Sequence, residues 1–266
     1  MIQKAKEILN KVFGYKEFRP LQEAIIQSVF NKTDTLVVMP TGGGKSLCYQ
    51  IPSLVMPGIT LVISPLIALM KDQVEQLKEL GIEAVLLNSS LTFPEYNENK
   101  KKVFTGIAKL LYLAPESLVK PDIMDMLAKV RVDCIAVDEA HCISAWGHDF
   151  RPEYRNLISV RKKLPQAVWI ALTATATGRV RNDIIKNLYF QKHQEFIGSF
   201  DRKNLFLEVR PKSNSIQQVM DILDEYKDQS GIIYCFSRKQ VDTLTQELQK
   251  AGLSVKPYHA GLSEKQ

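Results

Sequence analysis

The segment Thr35-Leu36-Val37-Val38-Met39-Pro40-Thr41-Gly42-Gly43-Gly44-Lys45-Ser46 runs from an apolar stretch through a glycine turn to a basic and a hydroxyl residue. Thr35 to Met39 has the length and branching of a buried strand. Gly42, Gly43 and Gly44 let backbone N–H groups close on phosphate oxygens, and a helix expected to open at Lys45 adds a favourable dipole. Lys45 can reach β- and γ-phosphates, and the Ser46 hydroxyl suits Mg²⁺. The strict phosphate-loop spacing asks for Gly where Met39 stands, but the close approach comes from Gly42 to Lys45. By itself the turn also fits an ordinary strand–helix connection.

A second stretch answers the first. The apolar run at 134–137 ends in Asp138 and Glu139, with His141 two residues on. Enzymes with a phosphate loop hold Mg²⁺ with a strand-end Asp and orient water with a nearby acid. Two acids here also suit a solvated loop or a helix cap. Taken with the glycine turn, they point to hydrolysis of a nucleoside triphosphate. The loop beyond holds Trp146, His148, Phe150 and Arg151, types that stack on bases or cover the edge of a core.

Outward from these motifs, strand-like and helical patterns alternate. Apolar runs lie at 59–64, 84–88, 110–114, 134–138 and 168–173. Helical stripes include Ala5, Leu9, Val12 and Phe13, then a helix expected from Pro20 with Leu21, Ala24, Ile25 and Val29. Another helix spans 66–80, with Leu66, Leu69, Met70, Val74, Leu77 and Leu80 on one face and Gly81 as its stop. Strands without polar alternation are buried on both faces, so the expected fold is α/β with a doubly wound, mostly parallel sheet. Ligands in such sheets sit beyond the carboxyl ends of the strands, where both motifs fall.

The chain has 266 residues, 45% hydrophobic and 24% charged, a soluble globular balance with room for more than one domain. A polar stretch at 199–204 marks the expected boundary, giving domains 1–203 and 204–266. The second has expected strands at 205–209, 231–236 and 254–258 and helices at 215–226 and 239–251. It is read as cut short at Gln266. No apolar run reaches the ~18 residues of a membrane span, and no signal-peptide core is present, so a cytoplasmic protein is expected. Net charge is +6, with Lys and Arg outnumbering acids 35 to 29, which permits a polyanionic partner without requiring one. Cys48, Cys134, Cys142 and Cys235 form no C-x-x-C pair and read as reduced thiols rather than a zinc site. The charge runs at 100–102 and 161–163 read as solvated faces.

With these residues in place, the chain resembles the N-terminal helicase region of the RecQ family of superfamily 2 DNA helicases, over essentially its whole length. Phe13-Gly14-Tyr15 through Phe18-Arg19-Pro20-Leu21-Gln22 is similar to the family's adenine-recognition motif. That implies Gln22 at the adenine edge, Tyr15 stacked on the base and Arg19 placing the nucleotide, although Tyr15 alone also reads as a helix-end packing residue. Thr41, Gly42, Gly43, Gly44, Lys45 and Ser46, with the Leu47-Cys48-Tyr49-Gln50-Ile51-Pro52 continuation, match the family's phosphate loop. Asp138 to His141 resembles its DEAH box, which makes Glu139 a general base, has Ser46 and Asp138 hold Mg²⁺, and has His141 link hydrolysis to DNA. Trp146 to Pro152 resembles the aromatic-rich loop, so Trp146, His148, Phe150 and Arg151 would sense single-stranded DNA. Ala145 stands where many members have Gln.

The resemblance further assigns Ser64-Pro65 and Ala114-Pro115 to DNA-backbone loops and Thr173 and Thr175 to a bridge between the two sites. Ser237, Arg238, His259 and Gly261 would grip DNA from the other side. Phe236 replaces a commoner Asn and Lys203 a commoner Pro. The implied architecture is a RecA-like domain followed by an incomplete second one. The implied activity is ATP- and Mg²⁺-dependent 3′-to-5′ unwinding of DNA, single-stranded or partly duplex, in repair and recombination, with nucleoid association if bacterial. Without the arginines that the rest of the second domain supplies, this chain is expected to bind nucleotide and hydrolyse it poorly. A nucleotide-gated DNA-binding module and an RNA-directed superfamily 2 ATPase remain alternatives.

Overall fold

The computed structural model describes residues 1–88, 90–199, 205–227 and 229–262. The chain divides into two units, Met1–Arg202 and Lys203–Gln266. Apart from Ser199, the expected boundary stretch, Lys203 included, lies outside the described residues.

The first unit begins with α1 (Ile2–Lys11), α2 (Gln22–Phe30), β1 (Asp34–Val38), α3 (Leu47–Val55), β2 (Ile59–Ile63) and α4 (Ile67–Glu79). It continues with β3 (Ala84–Leu87), α5 (Phe93–Phe104), β4 (Leu110–Leu113), α6 (Pro121–Lys129), β5 (Val132–Val137), α7 (Leu157–Lys163), β6 (Val168–Thr173), α8 (Gly178–Asn187) and β7 (His193–Ile197). All pairings are parallel, in the order β3-β4-β2-β5-β6-β1-β7. Along β5, Ile135 and Val137 face one core while Cys134 and Ala136 face the other. A core on each face explains the absence of polar alternation. Cys48, Cys134 and Cys142 are buried free thiols, each pushed up to about 12 by burial.

The differences from expectation are local and have causes. Helix α2 begins at Gln22 rather than Pro20, because Leu21 is left-handed (φ 71°) and the Arg19 N–H donates to the Gln22 side chain at 2.9 Å. Helix α3 begins at Leu47 rather than Lys45, since Gly42 and Gly44, each at φ 80°, hold the loop out of helical geometry. Strand β5 starts earlier than its apolar run. Asp133 inside it is satisfied by the Gly58 N–H at 2.6 Å and Arg131 Nε at 2.9 Å. Strand β7 was not legible: His193, Gln194 and Glu195 give no apolar signal, and the strand exists by its ladder with β1. On α4, Met70, Val74 and Leu77 are buried, but Leu66, Leu69 and Leu80 are exposed.

The charge runs are not simply solvated. Lys102 Nζ donates to Glu83 at 2.7 Å, and Arg161 pairs with Asp34 while lying over the Trp169 and Phe190 rings.

In the second unit α9 (Ser215–Glu225) and α10 (Arg238–Lys250) form as expected, capped by Asn214 and Ser237. The runs 205–209, 231–236 and 254–258 form no strand among the described residues. Val209 is 98% and Tyr234 91% exposed, so the apolar side chains find no core. A helix closes its own hydrogen bonds, whereas a parallel strand needs neighbours, and small sheets are marginal. Among the described residues no helix is long and apolar enough to cross a membrane.

Asp133→Ala is expected to leave the Gly58 N–H and Arg131 without their acceptor, at a cost of about 2–3 kcal/mol. The check is a lower urea midpoint by circular dichroism with an unchanged m-value.

Candidate functional site

Because the sheet is parallel, the loops after β1, β5 and β6 emerge at one edge, and the first two border a single cavity of about 610 Å³. Thr41, Gly42, Gly44, Lys45 and Ser46 line it from the glycine loop, Asp138 and Glu139 from the end of β5. Tyr15, Arg19 and Gln22 line it from the α1–α2 connection. Its apolar wall is Leu9, Phe13, Leu69, Leu77 and Leu80, so of the exposed leucines Leu69 and Leu80 face the cavity rather than a core, whereas Leu66 does not line it. Glu17 and Gln76 also line it, and no motif pointed to them.

The glycine loop is held from below. Gln22, 1% exposed, donates from Nε2 to the Gly44 carbonyl at 2.9 Å. The Arg19 guanidinium donates to the Gly42 carbonyl. A Cβ on Gly44 would run into the Gln22 amide, so both its left-handed backbone and this approach require glycine. Gln22 keeps one amide hydrogen and one carbonyl lone pair beyond these bonds. Lys45 Nζ donates to the Met39 carbonyl at 3.1 Å, at the loop's own neck.

The carboxylates differ in electrostatic state. Burial, then the charge of Glu139, pushes the Asp138 carboxyl up to about 6. Glu139 is held below the usual carboxylate range, chiefly by its hydrogen bond with His141. His141 is buried, with Nδ1 3.2 Å from Glu139 Oε2 and 2.9 Å from Thr173 Oγ1. The Thr173 hydroxyl donates its proton to the Thr175 carbonyl at 3.1 Å, so it accepts from His141, and Nδ1 carries the hydrogen. That one N–H is shared between Glu139 and Thr173.

From His141 the contacts run outward. His148 stacks on it, with centroids 4.0 Å apart, and lies 3.4 Å from the exposed Thr175 hydroxyl. Trp146 is 60% exposed, with the Arg179 guanidinium 3.3 Å from its ring centre. The Ser144 hydroxyl donates to Asp183 at 2.7 Å and accepts from the Trp146 N–H at 3.2 Å, so α8 braces the loop at two points. Neither Arg179 nor Asp183 stood out in sequence. Phe150 is half-buried beneath Arg155, and Arg151 ties Asp149 to the Pro65 carbonyl at 3.0 Å. A Cβ on Gly147 would press on the backbone carbonyls of His141 and Ser144, which makes this glycine part of the loop's shape.

Ser64, Pro65, Ala114 and Pro115 are buried, so these loops present Leu66 and Glu116 rather than the four singled-out side chains. In the second unit Ser237 caps α10, and His259 accepts from the Gly261 N–H at Nδ1 (3.1 Å) and donates from Nε2 to Asp242 (2.9 Å). Arg238 lies beside Gly261.

The DEAD/DEAH box helicase family model matches residues 19–184. The chain is 47% identical over 264 residues to the ATP-dependent DNA helicase RecQ of Pasteurella multocida (strain Pm70), covering 99% of this chain and 42% of that protein. It is 41% identical over 266 residues to the ATP-dependent DNA helicase RecQ of Bacillus subtilis (strain 168), covering 99% of this chain and 45% of that protein. It therefore spans less than half the length of these curated relatives. Among solved structures, the DUF1998 helicase MrfA is similar at a TM-score of 0.72 and 18% identity, covering 94% of this chain and 41% of the other, a likeness of fold.

The raised Asp138 pKa fixes the sign of a stability change. Because the folded value (about 6) lies above the ordinary 3.8, Asp138 destabilises the fold fully above pH 6 and not at all below pH 3.8. Asp138→Asn retains an acceptor for the Glu139 N–H and is expected to raise the melting temperature at pH 7.5 without Mg²⁺ or nucleotide. The gain should shrink toward zero as the pH falls to 4, which thermal scans across that range measure.

Proposed function

The chain belongs to the DEAD/DEAH box helicase family, and on that footing we propose that it is the ATP-binding motor portion of a RecQ-type DNA helicase. The whole protein couples ATP hydrolysis to 3′-to-5′ tracking on single-stranded DNA and to duplex unwinding, in repair and recombination. The observation that carries this reading is the meeting of the glycine loop with Asp138 and Glu139 in one cavity, joined through His141 to Thr173 and the aromatic loop.

Lys45 and the loop N–H groups neutralise charge that develops on the transferred phosphoryl group. The Met39 carbonyl now accepting from Lys45 is the acceptor that a phosphate oxygen replaces. Asp138 fits a divalent cation: its carboxyl is strained toward protonation by burial and by Glu139, and a cation relieves both. Among the described residues no group of three His, Cys, Asp or Glu side chains forms a resident metal site. A hard ion sharing Ser46 and Asp138 with water and phosphate suits that donor set. Mg²⁺ bound there supplies charge neutralisation to the phosphates. Glu139, kept ionised by His141, accepts the proton of the attacking water as the bond to the leaving diphosphate breaks.

His141 is the link to DNA. A base stacking on Trp146 moves the loop that carries His148, and the shared N–H shifts between Thr173 and Glu139. Arg151 passes the same displacement to the Pro65 loop. On this reading the chain by itself binds nucleotide and turns it over slowly.

Lys45→Ala is expected to abolish DNA-stimulated ATPase of the full-length protein and binding of a labelled ATP analogue by this chain. Retained turnover in that variant overturns the assignment. Phosphate release by this chain with single-stranded DNA, with RNA and with neither separates the readings. Strong stimulation by DNA excludes a pure binding module, and preference for RNA excludes a DNA motor.

A further inference from the structure

The amino-terminal ends of β5, β6 and β1 border a second cleft, of about 840 Å³, at the opposite edge of the sheet from the glycine loop. Five cations line it: Lys32, Arg131, Arg161, Lys163 and Lys192. Against them stand Asp34 and Asp133, both already engaged. Asp34 accepts from the Trp169 N–H and Arg161, Asp133 from the Gly58 N–H and Arg131. Lys163 and Lys192 are exposed and have no carboxylate partner among the described residues. The floor between the charges is aliphatic, with Leu127, Val130, Leu164 and Ala167. Past Arg161 the cleft meets a smaller cavity of about 510 Å³ that adds Lys162 and Tyr189.

A second observation marks this corner as built to receive an acceptor. Seven buried side-chain polar atoms among the described residues have no hydrogen-bond partner; one, Arg161 Nη1, belongs to a residue that lines the cleft, and Trp169 Nε1 and His193 Nδ1 belong to side chains outside its lining. Arg161 lies over the Trp169 and Phe190 rings, and Phe190 touches His193. A guanidinium N–H shut away from water without an acceptor is costly, and such groups call for an explanation. An incoming carboxylate supplies that acceptor with a charge-assisted bond.

We propose that this cleft is a docking site for an acidic, partly aliphatic segment of a partner protein. The larger cavity has no aromatic side chain on which a base could stack, so it lacks the platform a nucleic-acid strand would use. Cations alternating with aliphatic surface instead match carboxylates alternating with apolar side chains. Because this edge lies across the sheet from the nucleotide loop, a partner can stay docked while ATP turns over.

The test uses a short fluorescein-labelled peptide in which aspartate and glutamate alternate with leucine, its amide counterpart, and a labelled oligothymidylate. Anisotropy is read on this chain and on the double variant Lys163→Glu/Lys192→Glu, whose sites are exposed and remote from the ATP cavity. The acidic peptide is expected to bind the wild type, to lose affinity from ~50 to ~300 mM salt, and to bind the double variant roughly tenfold more weakly. The amide peptide should not bind, and ATP-analogue binding should be unchanged in the variant. Lys4→Glu/Lys101→Glu, which reverses charge on other faces, should leave peptide binding intact. Failure of the acidic peptide to bind, equal weakening by the control pair, or a loss confined to the oligothymidylate overturns the proposal.

Discussion

Parallel pairing of β5 with β6 and of β6 with β1 is the constraint on which the rest of the molecule depends. Val137 pairs with Ala171, and Val38 with Thr173, so three strand ends arrive side by side at one edge. Parallelism puts all their carboxyl ends there together. The glycine loop, Asp138 with Glu139, and the Thr173–Thr175 turn are therefore neighbours whatever their separation in the chain. The core on each face makes the buried strands β1 to β6 stiff, since displacing one would disturb apolar packing on both sides.

On that frame the site departs from local preference where chemistry needs it. Glu139 adopts a left-handed backbone (φ 47°), and Asp138 is buried at the expense of its ionisation. Leu21 is left-handed so that Gln22 can reach under the glycine loop. Glu139 and Asp138 line the cavity itself and Leu21 adjoins it, while the other left-handed residues outside glycine, Lys32 and Tyr189, lie at the clefts of the opposite edge. His141 joins the strained carboxylates to the threonine turn through one shared hydrogen, and its ring face extends the path to His148. No residue in that path is more than one contact from the next.

The two edges of the sheet serve opposite electrostatics. The carboxyl edge sets Glu17, Asp138 and Glu139 beside Arg19 and Lys45. The amino edge gathers cations over aliphatic floor, with Arg161 Nη1 held short of a partner. Arg161 is the clearest case of a residue misread from sequence: within a run of three basic residues it looks solvated, yet Asp34, Trp169 and Phe190 enclose it.

The sequence alone determined the alternation of strand and helix, the parallel sheet, the glycine loop and the carboxylate pair. Each of these is written in contiguous residues, as an apolar run, a glycine turn or adjacent acids. Helices α9 and α10 were legible for the same reason, because a helix satisfies its own backbone within a few residues. Tertiary structure alone decided what depends on a distant partner. Strand β7 forms only because β1 offers its edge, while the apolar runs of the second unit stay unpaired despite a stronger signal. Gln22 beneath Gly44, Arg179 on Trp146 and Leu69 and Leu80 facing the glycine-loop cavity belong to the same class. No local pattern encodes them, because a side chain's partner across the fold is set by packing and not by its neighbours in the chain.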